Sequence, residues 1–433
     1  MANAKIFCNT PWYEAHIYWD GSLGICCQES RKIYDQTQQY NIKNISLLEW
    51  FNSTPVRNLR KSLLSNTPTD ICSQCGIEEQ LSGTSRRHKS NQKSVIFTHT
   101  AFQNSFKQSP GHPHFELSQN QDGITDTMPI DLHIDLGNYC NLACKMCWSG
   151  ASSRIATQYV RWGYDDHKQY LGNDWTKDAT VWGKFLNELL TIPKLKNIHL
   201  MGGETLLTSR FEELVDFMSL HNRFDVCFSF VTNGTIFNEI LMEKLSHFSR
   251  VGIEVSIETI SPHNDYVRQG TDTAAILKNI QQYQKFCNDK VSVTLRPAIS
   301  ALTIGYYYSL LEYCLENKLI IKSLIVVTPA YLNANILPQD IKQQYLIKYQ
   351  TMLDKMPDVY LSDYNESNPN NYPRIIRAQV QQVINILNQP APTDQEELIK
   401  AMVLLCKKWD KEFNFNALDI YPEFIDIFKK YGY

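Results

Sequence analysis

Three cysteines in the order Cys140-x-x-x-Cys144-x-x-Cys147 follow directly on a run in which Ile130, Leu132, Ile134 and Leu136 alternate with other residues. That period is the period of a strand with one buried face, so Pro129 to Leu136 reads as a strand and the cysteines as the loop beyond its C-terminal end. Three thiolates at this spacing can hold three irons of a 4Fe-4S cube, leaving the fourth without a protein ligand and open to another molecule. Structural zinc prefers four closed ligands, commonly in Cys-x-x-Cys pairs, and fits a three-cysteine loop poorly. Three reduced core thiols are the remaining reading.

Beyond Cys147 the chain alternates strand and helix patterns, the signature of a parallel sheet built from strand-helix units. Strands are predicted at 130–136, 196–201, 225–232, 251–257, 291–297 and 322–327. Helices are predicted near 149–163, 178–190, 209–221, 236–248, 273–287 and 306–317. In α/β architectures ligands bind outside the C-terminal ends of the strands, and those ends carry the candidate side chains. After the second strand come Gly202, Gly203 and Glu204: glycines admit close backbone approach, and a carboxylate accepts a charge-assisted bond from an ammonium. The third strand ends at Thr232-Asn233-Gly234. Ser256 and Glu258 share one face at the end of the fourth, and an inward Glu there needs a partner such as Arg or Lys. Arg296, at the end of the fifth, suits an anion or an ion pair with Glu258 or Glu254. The sixth strand end, Val327 to Leu332, carries no assignable role.

A second cysteine set precedes all of this. Asp20-Gly21 marks a hairpin turn between the runs Ala15–Trp19 and Leu23–Cys26, which would return Cys26 or Cys27 towards Cys8. Cys72-Ser73-Gln74-Cys75 adds a knuckle, so Cys8, Cys26, Cys72 and Cys75 offer four thiolates, suited by spacing to zinc or to a fully ligated 4Fe-4S cube.

The loop Cys140-Asn141-Leu142-Ala143-Cys144-Lys145-Met146-Cys147 after a first strand resembles the radical S-adenosylmethionine (SAM) superfamily. The resemblance implies a partial (β/α)6 TIM-type barrel in which SAM chelates the open iron and is cleaved, after one-electron reduction, to methionine and a 5′-deoxyadenosyl radical. It implies that Gly202, Gly203 and Glu204 hold the SAM amino group, although Thr205 stands where the family often has Pro. It gives Asn233, Ser256 and Glu258 to the SAM ribose and nearby polar groups; Arg296, by its own chemistry, would then suit the methionine carboxylate or a substrate anion. The N-terminal set, with Gly21 and Cys26 at the right spacing and a helix-like stretch through Trp50, Arg57 and Arg60, resembles the SPASM/Twitch auxiliary-cluster domains. Those domains usually follow the barrel, whereas this one precedes it. SPASM/Twitch enzymes often modify peptides, so the resemblance implies a peptide or protein substrate and a low-potential donor such as flavodoxin or ferredoxin. A small nucleotide or sugar substrate is the alternative, weakly favoured by the basic run Arg86-Arg87-His88-Lys89, which as a plain solvated face would favour nothing. A non-catalytic iron-sulfur or zinc protein is the other.

The 433 residues carry a net charge of −3, which argues against a chain built to coat nucleic acid or an anionic membrane. No segment reaches the ~20 apolar residues of a membrane span and the N-terminus lacks an apolar leader, so a cytoplasmic protein with metal-ligating rather than disulfide-bonded cysteines is expected. Cys227, Cys287, Cys314 and Cys406 read as buried inert thiols. The expected organisation is an auxiliary-cluster domain at 1–90, a linker at 91–128 with an irregular stretch over 100–127, a radical SAM barrel at 129–335 and a helical C-terminal region at 336–433. That last region is predicted as helices at 338–357, 373–388, 393–410 and 420–431.

Overall fold

The computed structural model describes residues 6–29, 40–83, 85–93, 115–260, 262–356 and 372–433. Much of the stretch read as an irregular linker, including His112 and His114, lies outside these residues, and Glu116–Asn120 within it forms a short helix. Twelve strands are present among the described residues: β1 Glu14–Ile17, β2 Leu23–Gly24, β3 Asp131–Asp135, β4 Ala143–Cys144, β5 Asn197–Met201, β6 Cys227–Thr232, β7 Arg250–Val255, β8 Arg268–Gln269, β9 Val291–Leu295, β10 Ala298–Ile299, β11 Ile320–Ile321 and β12 Leu324–Ile325. The chain divides into two compact units, one of Met1–Tyr139, Ser149–Phe230 and Ile240–Val251, the other of Cys140–Trp148, Val231–Glu239 and Gly252–Tyr433.

In the first unit β1 and β2 form the hairpin expected at Gly21, with His16 opposite Gly24. A second pairing of the same strand has no local signature: β1 also lies parallel to β3, Glu14 opposite Asp131 and His16 opposite His133. β3 pairs in parallel with β5, and β5 with β6. Parallel neighbours need long crossovers, and helices Ser153–Arg161, Ala179–Leu190 and Ser209–Leu220 supply them. Each starts on a side-chain cap that satisfies first-turn N–H groups: Ser152, Asp178 and Thr208. One sheet face is apolar, from Ala15, Ile17, Leu132, Ile134, Ile198, Leu200, Phe228 and Phe230, all buried. The opposite face carries Glu14, His16, Asp131, His133, Asp135, Asn197 and His199, and its buried polar groups are bonded to one another, Asn197 Nδ2 to Asp131 Oδ1 at 2.6 Å and His16 Nε2 to Asp135 Oδ1 at 3.2 Å. The N-terminal helices are α1 Leu47–Phe51, α2 Thr54–Leu64, α3 Ser73–Ser82 and α4 Arg86–Lys93.

In the second unit β9 pairs in parallel with β11, β10 in parallel with β12, and β4 antiparallel with β8. The single sixth strand expected at 322–327 is thus two short pieces on two partners. Pro297 interrupts β9 where its ladder would continue, since proline has no N–H to donate, and the chain resumes as β10. Helices Thr273–Lys285 and Tyr307–Asn317 match their predicted positions. The C-terminal region is helical as read, with Gln339–Lys355, Tyr372–Leu387, Gln395–Phe413 and Ile425–Lys430. Tyr372–Leu387 packs on β11 and on Tyr307–Asn317. The fold class is α/β, a mostly parallel sheet with many helices. No helix among the described residues is long and apolar enough to cross a membrane.

Candidate iron-sulfur sites

The cysteine loop of the second unit is held at three points. Cys140 Sγ receives the Leu142 N–H at 3.4 Å and faces Asn233 Nδ2 at 3.9 Å. Asn233 also donates to Asn141 Oδ1 at 2.8 Å, while Asn141 donates to Thr235 Oγ1 at 2.9 Å, so the turn after β6 clasps the first arm of the loop. Cys144 stands in β4 opposite Arg268 of β8. The Cys147 N–H closes on the Cys144 carbonyl at 3.0 Å.

Burial pushes the Cys144 thiol up to about 12, with Cys140 and Glu258 adding to the rise and Arg268 and Lys145 opposing it. Burial raises Cys147 as well, and its two neighbouring thiols add to that. Closely grouped buried thiols resist ionisation unless a cation offsets their charge, which is what ligation to iron provides. Neither cysteine set brings three sulfurs within 4.8 Å of one another among the described residues. A mononuclear tetrahedral zinc site needs sulfurs about 3.8 Å apart, from Zn–S bonds of ~2.3 Å. Three thiols of one loop that act on one another electrostatically are a donor set that fits an iron-sulfur cluster.

Arg268 is one of two cations that act on Cys144, the other being Lys145. Arg268 is 7 % exposed, and although burial opposes its charge, Glu258 and the three cysteines hold its guanidinium firmly protonated. Nη1 lies 3.3 Å from Glu258 Oε1. Glu258, 1 % exposed, has its carboxyl raised by burial, with Arg268 pulling it back, and its Oε2 is buried with no hydrogen-bond partner among the described residues. The partner that the sequence demanded for Glu258 is therefore Arg268. Arg296 pairs instead with Glu254, Nε to Oε2 at 3.0 Å. Ser256 closes the strand end through its N–H on the Thr232 carbonyl at 2.8 Å. Sequence reasoning passed over Arg268, whose one signal was an arginine amid the apolar, aromatic context of Tyr266 and Val267.

In the first unit the loop after β5 is folded against residues 137–139. Gly202 and Gly203 have φ of +84° and +53°, and a Cβ on Gly202 would lie 2.5 Å from the Gly137 carbonyl oxygen. The Glu204 N–H donates to the Tyr139 carbonyl at 2.8 Å, and the Gly203 N–H to Ala151 at 3.1 Å. Glu204 is 2 % exposed and its carboxylate accepts the Leu206 N–H at 3.2 Å, so the carboxylate is fixed in place by the turn it caps.

The second cysteine set also lies in the first unit. Cys8, Cys72 and Cys75 act on one another electrostatically: burial pushes Cys8 up to about 11 and Cys72 up to about 12, with neighbouring thiols raising both. Cys8 Sγ donates to Thr10 Oγ1 at 3.1 Å, and the Arg87 main chain bonds Cys75. Cys26 is raised by burial and interacts with Arg86, Cys27 and Glu29, and Glu29 acts on Cys72 too.

The basic run is neither a solvated face nor an anion receptor at its first two positions. Arg86 is ion-paired to Glu14 and lies 3.3 Å from His133 Nε2, while Arg87, 4 % exposed, is paired to Glu79. Local charge counting missed this because Glu14 comes from β1, far away in sequence. The one group of three close ligand atoms among the described residues, Glu14, Asp131 and His133, is where Arg86 sits, so its cation is already a guanidinium.

Residues 134–300 match the family model of the radical SAM superfamily, and residues 8–76 match an iron-sulfur cluster-binding domain, SPASM. No curated protein matches the chain. Among solved structures, native anSMEcpe with bound AdoMet is similar at 19% identity and TM-score 0.39, over 52% of this chain and 62% of that one. Streptococcus suis SuiB bound to S-adenosylmethionine is similar at 12% identity and TM-score 0.34, over 68% and 61%, and SuiB bound to precursor peptide SuiA at 13% and 0.35, over 67% and 62%. The chain thus spans less than two thirds of the length of these structures. The chain carries a radical SAM domain over residues 134–300 and a SPASM domain that precedes it over residues 8–76, and the cofactors of those domains are a 4Fe-4S cluster with S-adenosylmethionine and a second iron-sulfur cluster.

Proposed function

We propose that the chain cleaves SAM reductively and abstracts hydrogen from a peptide or protein side chain. When bound, the cluster and SAM supply a 5′-deoxyadenosyl radical able to attack an unactivated carbon. Cys140, Cys144 and Cys147 would hold three irons, and Arg268 would offset the charge of their thiolates. Glu204, steered by the turn at Gly202 and Gly203, would accept the SAM ammonium. Asn233, Ser256 and Glu258 would serve the ribose and nearby polar groups, and Arg296 would reach a carboxylate only by exchanging Glu254. Cys8, Cys26, Cys72 and Cys75 would hold the second cluster, which would take the electron left on the substrate or ligate the substrate, with flavodoxin or ferredoxin as donor to the first.

The single observation that carries this reading is the three-cysteine loop clasped by Asn233 and backed by Arg268. A peptide is preferred to a nucleotide because Arg86 and Arg87, which favoured an anionic substrate, are bound to Glu14 and Glu79. The test is anaerobic reconstitution with iron and sulfide, then SAM and a strong reductant. 5′-Deoxyadenosine should form in the wild type and vanish when Cys140, Cys144 and Cys147 are all replaced by Ala. Absence of that product from fully loaded wild type would refute the proposal.

A further inference from the structure

Lys145 stands between two cysteines of the loop, yet its side chain is neither a cluster ligand nor a SAM contact in the proposed function. It is 3 % exposed. Its Nζ donates to the Tyr266 carbonyl at 2.5 Å and lies 3.5 Å from the centroid of the Tyr266 ring, with the rings of Trp409 and Phe415 at 5.2 and 5.8 Å. Tyr266 comes from helix Pro262–Val267, Trp409 from helix Gln395–Phe413 and Phe415 from the turn beyond it. Two of the three walls of this aromatic box therefore belong to the C-terminal helical region.

Burying an ammonium is costly, and aromatic faces recover only part of that cost. Burial opposes the charge on Lys145, and Cys406, Asp410 and Cys144 favour it. Leu or Met would fill the box without the penalty, so a charge kept there calls for a use. The main chain at the same residue is also tied, its N–H on the Val267 carbonyl at 2.8 Å, just before the β8 register that sets Cys144 opposite Arg268.

We infer that Lys145 is a positioning residue that fastens the cysteine loop to the C-terminal helices and keeps a fixed positive charge beside the cluster site of Cys140, Cys144 and Cys147. The inference rests on the radical SAM reading of that loop. A nearby cation stabilises the reduced, more negative state of a cluster, so Lys145 raises its reduction potential. It does so without touching substrate.

The experiment is an EPR-monitored redox titration of the anaerobically reconstituted full chain, comparing wild type with K145M, K145R and W409L. K145M keeps the stem and should shift one cluster potential downward while the potential of the N-terminal cluster stays fixed; K145R should return it towards wild type. W409L retains the charge but loses a wall, and should release iron from the loop to a chelator several-fold faster with little change in potential. An unchanged potential in iron-replete K145M, or K145R behaving as K145M, overturns the inference. Should K145M fail to fold, equal iron-release rates in K145R and W409L overturn it. Failure of the underlying reading looks different: replacing Cys140, Cys144 and Cys147 with Ala would then leave iron content unchanged in every background.

Discussion

Gly203 and Tyr139 approach so closely that a Cβ on Gly203 would fall on the Tyr139 carbonyl oxygen and 2.8 Å from its carbon. The backbone there also has a φ of +53°, which strains an L side chain. Gly203→Ala should therefore destabilise the apo protein by about 1–3 kcal/mol, the usual cost of overpacking. It should also weaken SAM retention in equilibrium dialysis, because Glu204 hangs from the same turn. Urea unfolding and dialysis of the variant check both effects; wild-type values in both would detach Glu204 from SAM binding.

Cys72→Ala together with Cys75→Ala should cut the iron bound from about eight to about four per chain, as expected for loss of one of two cubes. 5′-Deoxyadenosine formation should persist at a measurable rate. Parallel Cys26→Ser and Cys27→Ser variants should differ, one losing cluster iron and the other keeping it. Iron analysis and chromatography of the nucleoside product read out all three.

Arg86→Met removes one half of a buried pair and leaves Glu14, whose side chain is 1 % exposed, without its cation. Breaking such a pair typically costs about 3–5 kcal/mol. Adding Glu14→Gln should recover much of the loss, since both charges are then gone. A double-mutant cycle in urea measures the coupling, and additive losses would show that the two residues act independently.

His263 stacks on Tyr306 with ring centroids 3.3 Å apart, and burial lowers it from 6.5 to about 4. The folded state thus refuses a proton that the unfolded chain accepts. Its contribution to stability is complete above pH 6.5 and declines as pH falls from 6.5 towards 4. His263→Phe should flatten this part of the stability–pH curve of the apo protein, measured by chemical denaturation at fixed ionic strength. A wild-type slope in the variant would place the acid sensitivity elsewhere.

What the sequence revealed was local. The alternation through Ile130, Leu132 and Ile134 placed β3, and the strand-helix periodicity placed the helices beyond it to within a few residues. Cys140, Cys144 and Cys147 announced a metal loop by spacing alone, because three ligands in eight residues must converge. Arg268, Lys145 and the Arg86–Glu14 pair were illegible for the opposite reason. Their partners come from separate elements, ten residues away for Arg268 and Glu258, 72 for Arg86 and Glu14 and 121 for Lys145 and Tyr266, and local charge or hydrophobic period carries no record of such encounters. The broken sixth strand was foreshadowed by Pro297, whose effect on the ladder the periodicity hid.

The parallel pairing of β1 with β3 makes residues 18–130 an excursion between two laterally adjacent strands. A segment anchored at both ends cannot be transplanted as a cassette, because cutting it out before Asp131 also strips Glu14–Ile17 from the sheet. During synthesis β1 must wait for more than a hundred residues before its neighbour emerges, so the loop-closure entropy of this one ladder is charged against folding late. Cys8 lies upstream of that ladder and Cys72 and Cys75 inside the excursion, so all three leave the ribosome before β3 does, and their set can come together before the strand pair closes.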